Sequence, residues 1–101
     1  MATLYVSEFA GMGSGANAAP QAVMQPPLAE QAVAIGGASA QSAAFNARTR
    51  IVRLHADSIC SIEFGVNPTA TATTARLAAN QTEYFSVGEG GAMKVAVIAN
   101  A

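Results

Sequence analysis

The residues best suited to chemistry lie close together in the stretch HADSIC, residues 55–60. They are the residue types of nucleophilic catalysis: His55, Asp57, Ser58 and Cys60. A catalytic triad normally converges from different parts of a fold, whereas these residues lie on one strand and the turn that follows it. We therefore expect an exposed strand histidine, which can also tune an interface, followed by an Asp-Ser turn.

The chain offers few other groups for a catalytic, cofactor or metal site. Cys60 is the only cysteine and His55 the only histidine, so a disulfide within the monomer and a structural zinc site are excluded. The strand pattern favours Cys60 as a small core residue. Three glutamates, Glu8, Glu63 and Glu83, are too far apart in sequence to indicate a glycosidase pair. We predict no catalytic, cofactor-binding or metal-binding residue, and therefore no enzyme.

The stretch GMGSGA partly matches a dinucleotide-binding fingerprint. Gly11, Gly13 and Ala16 have the required spacing, and Glu30 lies about 20 residues further on, where an acid that binds ribose is expected. The fingerprint must open a helix whose N-terminus holds the pyrophosphate, and Pro20 ends such a helix almost at once. The glycines are better explained by a flexible connection, and we predict no cofactor.

The only cluster of basic residues consists of Arg48, Arg50 and Arg53. No aromatic residue interleaves with them, the net charge is -1, and only 11% of the residues are charged. Nucleic-acid binding requires clustered positive charge, so it is not expected. The arginines are interpreted as solvated strand charges or as partners of carboxylates on a neighbouring subunit.

The composition of the chain predicts dependence on neighbours. Its 101 residues form one domain at most, and roughly a quarter of them are alanine, which adds little buried area. Charged residues are well below the usual share of about 25%. Small domains that are short of core use disulfides, metals or association, and only association remains here. We expect self-association as a dimer or trimer, or docking on a larger body.

The sequence predicts neither export nor membrane insertion. The first residues carry no basic region typical of a signal peptide. No apolar run approaches the 18 or more residues of a spanning helix. We expect no membrane partner, and we expect the protein to be made in the cytoplasm.

The first third of the chain predicts one strand and an arm. Residues 2–9 alternate, with Leu4 and Val6 on one face and Tyr5, Ser7 and Phe9 on the other. Residues 10–30 are rich in Gly, Ala and Pro and are predicted to be an extended arm, with a short strand at QAVMQ as an option. The predicted division is therefore a strand plus arm at 1–30 and a core at 31–101.

From residue 31 onward, short apolar stretches alternate with turn residues. The predicted strands are QAVAI, ASAQSAAFN, TRIVRLHA, ICSIEFG, TEYFSV and AMKVAVIA, while ATATTARL fits a strand or a loop. Inward positions are assigned to Val52, Leu54, Ala56, Cys60, Ile62, Phe64, Met93, Val95 and Val97, and outward positions to Arg53, His55, Ser61 and Glu63. This spacing predicts an all-β fold, a single β-sandwich or jelly-roll-like barrel with an extended N-terminal arm.

Residues 67–91 stand out because they are mostly alanine, threonine and glycine. Small side chains let two backbones approach closely, and they lose little rotamer entropy when they are fixed. Threonine also suits strands. We therefore expect this segment to lie flat against another protein surface.

Three stretches carry a family resemblance: the opening MATLYVSEFAG, then RIVRLHADSICSIEFGVNPTATA, then NQTEYFSVGEGGAMKVAVI. Their recurrent features are a turn after the cysteine-bearing strand, a TEYFSV strand, a Gly-rich turn and a closing hydrophobic strand. In these features the chain resembles small virion proteins of tailed bacteriophages. The resemblance implies a β-sandwich that attaches to the capsid shell as a decoration or cement protein, and it carries over no functional residue.

The expected function is therefore structural. The protein is expected to bind the major capsid protein on the outside of a phage shell and to reinforce the shell through contacts between neighbouring subunits. No nucleic-acid, membrane or small-molecule partner is expected, and the virion is assembled in the bacterial cytoplasm. A tail, neck or fibre-base component of the same virion is the main alternative. A small carbohydrate-binding sandwich is a remote one, because its aromatic platform would have to come from Tyr5 and Tyr84.

Overall fold

The computed structural model describes residues 2–11, 25–88 and 92–100, and these residues contain no helix. Eight strands account for the regular structure: β1 (Thr3–Phe9), β2 (Ala29–Ala34), β3 (Ala40–Gln41), β4 (Ile51–Ala56), β5 (Cys60–Gly65), β6 (Ala75–Leu77), β7 (Gln81–Ser86) and β8 (Lys94–Ala99). All pairings between them are antiparallel. The predicted all-β fold is confirmed.

The strands form two four-stranded sheets. The first sheet has the order β2-β1-β4-β7 and the second sheet the order β3-β8-β5-β6. Because β4 pairs with β7 in the first sheet and β5 pairs with β6 in the second, one long antiparallel strand pair runs over both sheets. This rolling of a strand pair across a sandwich is the defining feature of a jelly roll. The N-terminal strand β1 completes the first sheet between β2 and β4.

The alternation in β4 and β5 builds the centre of the sandwich. Val52, Leu54 and Ala56 are fully buried, whereas the intervening Arg53 and His55 are partly exposed, as predicted. The core cluster consists of Leu4, Val6, Val33, Ile35, Phe45, Val52, Leu54, Ala56, Cys60, Ile62, Leu77, Val87, Val95 and Val97. Both sheets therefore contribute their inner faces to one core.

The predicted division into a strand plus arm (residues 1–30) and a core (residues 31–101) does not match the structure, because part of the first segment belongs to the sandwich. Strand β1 pairs on both of its edges, and Leu4 and Val6 are fully buried in the core. A strand with two partners cannot be separated from its sheet, so the core includes residues 3–9. Strand β2 begins at Ala29, before the predicted boundary. Residues 12–24 of the predicted arm, with most of the QAVMQ stretch, lie outside the described residues.

Two predicted strands are shorter than expected. Within ASAQSAAFN only Ala40–Gln41 forms a strand. After it, Ser42 donates to the Val95 carbonyl and Phe45 donates to the Met93 carbonyl, both over 2.8 Å. These donors are three residues apart rather than two, so no regular ladder continues. Within ATATTARL only the end is strand, as β6, and the rest belongs to a loop.

Candidate binding face on the first sheet

The structure does not bring the candidate nucleophilic residues together. His55 lies on the outer face of the first sheet, whereas Cys60 is fully buried between the sheets. The carboxylate of Asp57 accepts a hydrogen bond from the Thr3 backbone N–H over 2.7 Å. Asp57 therefore fastens the β4–β5 turn to the start of β1, and these residues do not form a nucleophile with its base.

The prediction that Cys60 is a core residue is confirmed. Burial raises the pKa of its thiol, and the nearby negative charge of Asp57 raises it further. A raised pKa keeps the sulfur protonated and unreactive at neutral pH. Among the described residues, no group of three or more His, Cys, Asp or Glu side chains could hold a metal ion.

The three arginines of the basic cluster separate in the structure. Arg48 and Arg50 are exposed in the connection before β4, and Arg53 is half-buried on the outer face of the first sheet. Of the glycine-rich fingerprint, Gly13 and Ala16 lie outside the described residues. Only Arg53 therefore shares a surface with other residues of interest.

Part of the outer face of the second sheet is covered by the chain itself. Ser61 lies beside Ile98, and Ala96 lies beside Glu63, all on the side facing away from the core. Ser61 was predicted to point outward, and it does, but both Ser61 and Ala96 are 0% exposed. Some segment must therefore lie over these small side chains.

That segment is the β5–β6 connection, residues 66–74, which we call the covering loop. Gln41 on β3 donates from Nε2 to Asn67 Oδ1 over 2.9 Å and to the Pro68 carbonyl over 2.8 Å. The Ala70 N–H donates to Ser39 Oγ over 2.9 Å. These bonds draw the loop from β5 across β8 to β3, and Pro68 and Ala70 within the loop are buried.

The return of the covering loop is fixed by Asn100. Its Nδ2 donates to Ser61 Oγ over 2.7 Å and to the Ala72 carbonyl over 3.2 Å. The first of these bonds satisfies a hydroxyl group that the loop removes from water. The last turn of the loop is closed by Thr74, which donates from its N–H to the Thr71 carbonyl over 3.1 Å.

The covering loop corrects one sequence-based expectation. Residues 67–91 were expected to lie flat against another protein surface, whereas the part of that segment within the covering loop, residues 67–74, lies against its own second sheet. Small side chains on both the loop and the sheet allow this close approach, as the physical argument required. The expectation was wrong for residues 67–74, and for the rest of the segment it stays a prediction.

The outer face of the first sheet differs, because part of it stays open. Strand register places Tyr5 beside His55 and His55 beside Thr82, while Arg53 lies beside Tyr84. We call these five residues the tyrosine face. Among the described residues, three large hydrophobic side chains are exposed: Tyr5 at 47%, Val66 at 65% and Tyr84 at 55%. Two of the three therefore share one face of one sheet.

Local contacts fix the arrangement of the tyrosine face. The Tyr5 and His55 rings lie 6.4 Å apart between centroids with a tilt of 43°. His55 Nδ1 and Thr82 Oγ1 share a hydrogen bond of 2.9 Å, which sets the orientation of the imidazole. Tyr5 lies opposite His55 and Tyr84 lies opposite Arg53, so their backbone positions are two strands and two residues apart, roughly 12 Å.

The tyrosine face ends toward the β1–β2 connection. Ser7 is 7% exposed and Phe9 is 2% exposed, although their register places them on the same side as Tyr5. Ser7 Oγ lies 3.4 Å from Glu30 Oε2 on β2, a long hydrogen bond that borders the face. The open area therefore comprises the half of the sheet nearest the start of β1.

A buried carboxylate holds the opposite side of β1 in place. Glu8 is 1% exposed, and its Oε1 accepts hydrogen bonds from the Asn46 N–H over 2.7 Å and from Thr49 Oγ1 over 2.8 Å. Gln31 Nε2 donates to Glu8 Oε2 over 2.9 Å. These donors come from β2 and from the β3–β4 connection, so Glu8 ties that connection to the first sheet. Its role is structural.

The tyrosine face combines stacking surface with polar groups. Tyrosine presents a flat apolar ring and a hydroxyl that can donate or accept. The guanidinium of Arg53 adds a fixed positive charge and a planar donor set. Such a surface suits a flat partner that offers apolar area and hydrogen-bond acceptors.

Sequence reasoning did not find this face. The alternation in β1 predicted that Tyr5 lies on the face opposite Leu4 and Val6, but nothing local relates Tyr84 to Tyr5. Their shared face depends on two strand pairings between residues more than 25 positions apart, through β4. Only assembled strand register brings the two tyrosines together.

Comparison with family models, with curated proteins and with solved structures gave no match to this chain. Among the described residues, no helix is long and apolar enough to cross a membrane. The functional argument therefore depends on the fold, the covered second sheet and the open tyrosine face.

Proposed function

We propose that this chain is a non-enzymatic structural protein of a phage virion, which binds the outside of the capsid shell and reinforces it. The tyrosine face is its contact surface with the major capsid protein. Many copies, each bound weakly, stabilise the lattice together because each occupied site favours the integrity of its neighbours. The protein acts on the particle surface after the shell has been assembled in the bacterial cytoplasm.

One observation carries the proposal: Tyr5 and Tyr84 stay half-exposed on one flat sheet face, on either side of Arg53 and His55. Tyrosine and arginine are enriched at protein interfaces, and they are frequent among the residues that contribute most to binding. The second sheet is already covered by its own loop, so the first sheet supplies the open face of the sandwich.

The composition supports the same proposal. Only 11% of the residues are charged, which is low for a domain whose surface faces water on all sides. The resemblance to small virion proteins of tailed phages supplies the identity of the partner. An assembled shell is also a flat, repeated surface, which matches a flat binding face present on every copy.

The test is co-sedimentation of the full chain with empty expanded shells. The wild-type chain is expected to pellet with the shells and to raise their melting temperature. The double variant Tyr5→Ser, Tyr84→Ser is expected to remain in the supernatant. The matched control is Val66→Ser, which removes the third exposed hydrophobic side chain from the covering loop and should bind as the wild type does.

Two outcomes would contradict the proposal. Wild-type chain that stays in the supernatant, with no change in shell melting, refutes shell binding. Equal binding by the double tyrosine variant refutes the tyrosine face as the contact surface. Copy number in purified virions separates the shell from a tail or neck position, because a shell protein is present in hundreds of copies and a neck component in six or twelve.

A second candidate follows from the same geometry. Carbohydrate-binding sandwiches use exposed aromatic rings as platforms for sugar rings, with polar side chains between them, and Tyr5 and Tyr84 share such a face. A glycan array probed with the full chain tests this candidate. Specific glycan binding that the double tyrosine variant loses would favour it over shell binding.

A further inference from the structure

The first sheet ends in a strand edge that is open to another strand. Strand β7 pairs with β4 on one side, and no described strand pairs with its other side. It is six residues long, and all of these residues except Phe85 are exposed. Alternate residues of an edge strand direct N–H and C=O groups outward, so β7 presents a ready template for strand pairing.

The other terminal strands of the two described sheets are poorer templates. In the second sheet, β3 has two residues and β6 has three. In the first sheet, Gln31 of β2 accepts from the Ala43 N–H over 2.8 Å and donates to the Ala43 carbonyl over 3.4 Å. Strand β2 is also six residues long, but three of its residues are exposed against five in β7, so β7 is the more open edge among the described strands.

We propose that β7 pairs with β7 of a second copy of this chain, to form a two-fold dimer with one continuous eight-stranded sheet. An antiparallel strand can pair with itself around a two-fold axis, which makes the contact self-complementary and closed. The thin core and low charge of the chain favour association of this kind. The inference concerns self-association alone and does not depend on the proposed shell binding.

Strand geometry selects one register for this dimer. A two-fold axis perpendicular to the sheet places one residue opposite its own copy. Within Gln81–Ser86 the two longest registers are centred on Glu83, pairing residues 81–85, and on Tyr84, pairing residues 82–86. The first register places two Glu83 carboxylates directly opposite each other, with Cβ atoms about 5 Å apart, which is destabilising.

The register centred on Tyr84 has no such conflict. It places the two Tyr84 rings side by side on the outer face, and aromatic pairs across strands are favourable. Thr82 then lies opposite Ser86 of the second copy, and Glu83 lies opposite Phe85. Inward charges on edge strands usually limit indiscriminate pairing. Here Glu83 restricts β7 to the register that joins two tyrosine faces.

Cysteine cross-linking of the full chain tests the register directly. Tyr84→Cys is expected to form a covalent dimer under mild oxidation, because the two new thiols lie opposite each other within disulfide reach. Thr82→Cys alone should not cross-link, because it lies opposite Ser86, whereas the double variant Thr82→Cys, Ser86→Cys should. The native Cys60 is buried and contributes little background.

Light scattering of the unmodified chain provides the second measurement, at high micromolar concentration. The wild type is expected to have the mass of a dimer. Tyr84→Lys places two ammonium groups opposite each other and should give a folded monomer. The matched control Ala32→Lys, on the outer face of β2, should remain a dimer.

Three results would overturn the inference. One is a wild-type monomer, and another is a dimer in which Tyr84→Cys does not cross-link. The third is cross-linking of Thr82→Cys alone as efficiently as Tyr84→Cys. Circular dichroism melting of each variant separates a lost contact from a lost fold.

Discussion

The two sheets of this sandwich have the same number of strands, but their outer faces carry side chains of different size and exposure. The second sheet presents Ser61 and Ala96, and the covering loop lies directly over them. The first sheet presents Tyr5 and Tyr84, and no described segment covers them fully. Small side chains let a segment of the same chain pack directly on the sheet, whereas projecting aromatic rings hold a backbone at a distance and stay exposed.

The free energy available from covering the exposed tyrosines can be estimated from their area. A tyrosine buries about 150–250 Å² when it is fully covered, so each half-exposed ring retains roughly 100 Å². At about 25 cal/mol per Å², covering one ring contributes roughly 2–3 kcal/mol before the cost of association is subtracted. The open face therefore has enough exposed apolar area to support binding, whereas the side chains beneath the covering loop are already buried.

The largest loss of stability is expected when a long side chain is placed on the covered face of the second sheet. Ala96→Arg places a long charged side chain where Ala96 is fully buried beneath the covering loop. The long side chain must displace the loop before the guanidinium can reach water or the carboxylate of Glu63, which lies opposite residue 96 on β5. We expect a loss of about 3 kcal/mol in the free energy of unfolding, measured by urea denaturation.

The matched control is Ala32→Arg, an alanine on the outer face of the first sheet that is exposed. It should change stability by less than about 0.5 kcal/mol, as surface substitutions usually do. Equal losses for the two variants would mean that the two outer faces do not differ in cover.

A smaller effect is expected from releasing the covering loop. Gln41→Ala removes the hydrogen bonds to Asn67 and Pro68 that hold the loop on β3. We expect a loss of about 1–2 kcal/mol and faster hydrogen exchange in residues 66–74. Gln81→Ala, an exposed glutamine on β7, is the control and should leave exchange in that loop unchanged. Unchanged exchange in Gln41→Ala would show that these bonds do not hold the loop.

The pH dependence of stability shows whether water reaches the Cys60 thiol in the core. Its pKa is raised by burial and by Asp57, so the folded protein keeps the proton after the unfolded chain has lost it. The stabilisation is present below about pH 8.5 and is lost as pH rises further, by up to about 1.4 kcal/mol per unit. Under reducing conditions, denaturation from pH 8 to 10 should show a steeper loss for the wild type than for Cys60→Ala. Parallel slopes would mean that water reaches the thiol.

Substitutions on the open face are expected to cost less than Ala96→Arg on the covered face. Tyr5→Ser and Tyr84→Ser each remove a ring that is about half-buried, so each should cost about 2 kcal/mol. Thermal melting of the isolated protein measures this cost. A loss of several kcal/mol from either substitution would show that the tyrosines stabilise the fold, and binding data from that variant would then report on unfolding.

Several features of the fold followed from the sequence because they are local. Alternation of apolar and polar residues placed Val52, Leu54 and Ala56 in the core and Arg53 and His55 outside it. The same pattern predicted the burial of Cys60. Period-two alternation depends only on the geometry of a single strand, so no knowledge of neighbouring strands was needed.

Other features could not be derived in this way. Glu8 continues the inner face of β1, but its burial depends on donors from residues 31, 46 and 49, which only the folded chain assembles. An isolated charge in a strand pattern favours exposure, and three hydrogen bonds reverse that preference. The small extent of β3 likewise depends on bonds to β8.

The sequence by itself determined that this chain is all-β, poor in charge and rich in residues small enough to lie against a surface. The tertiary structure decided which surface those residues cover and where the tyrosines meet. The physical reason is that side-chain size and alternation are properties of one strand, whereas the register between strands and the path of a loop depend on the whole chain. Tyr5 and Tyr84 share a face only because β4 lies between their strands.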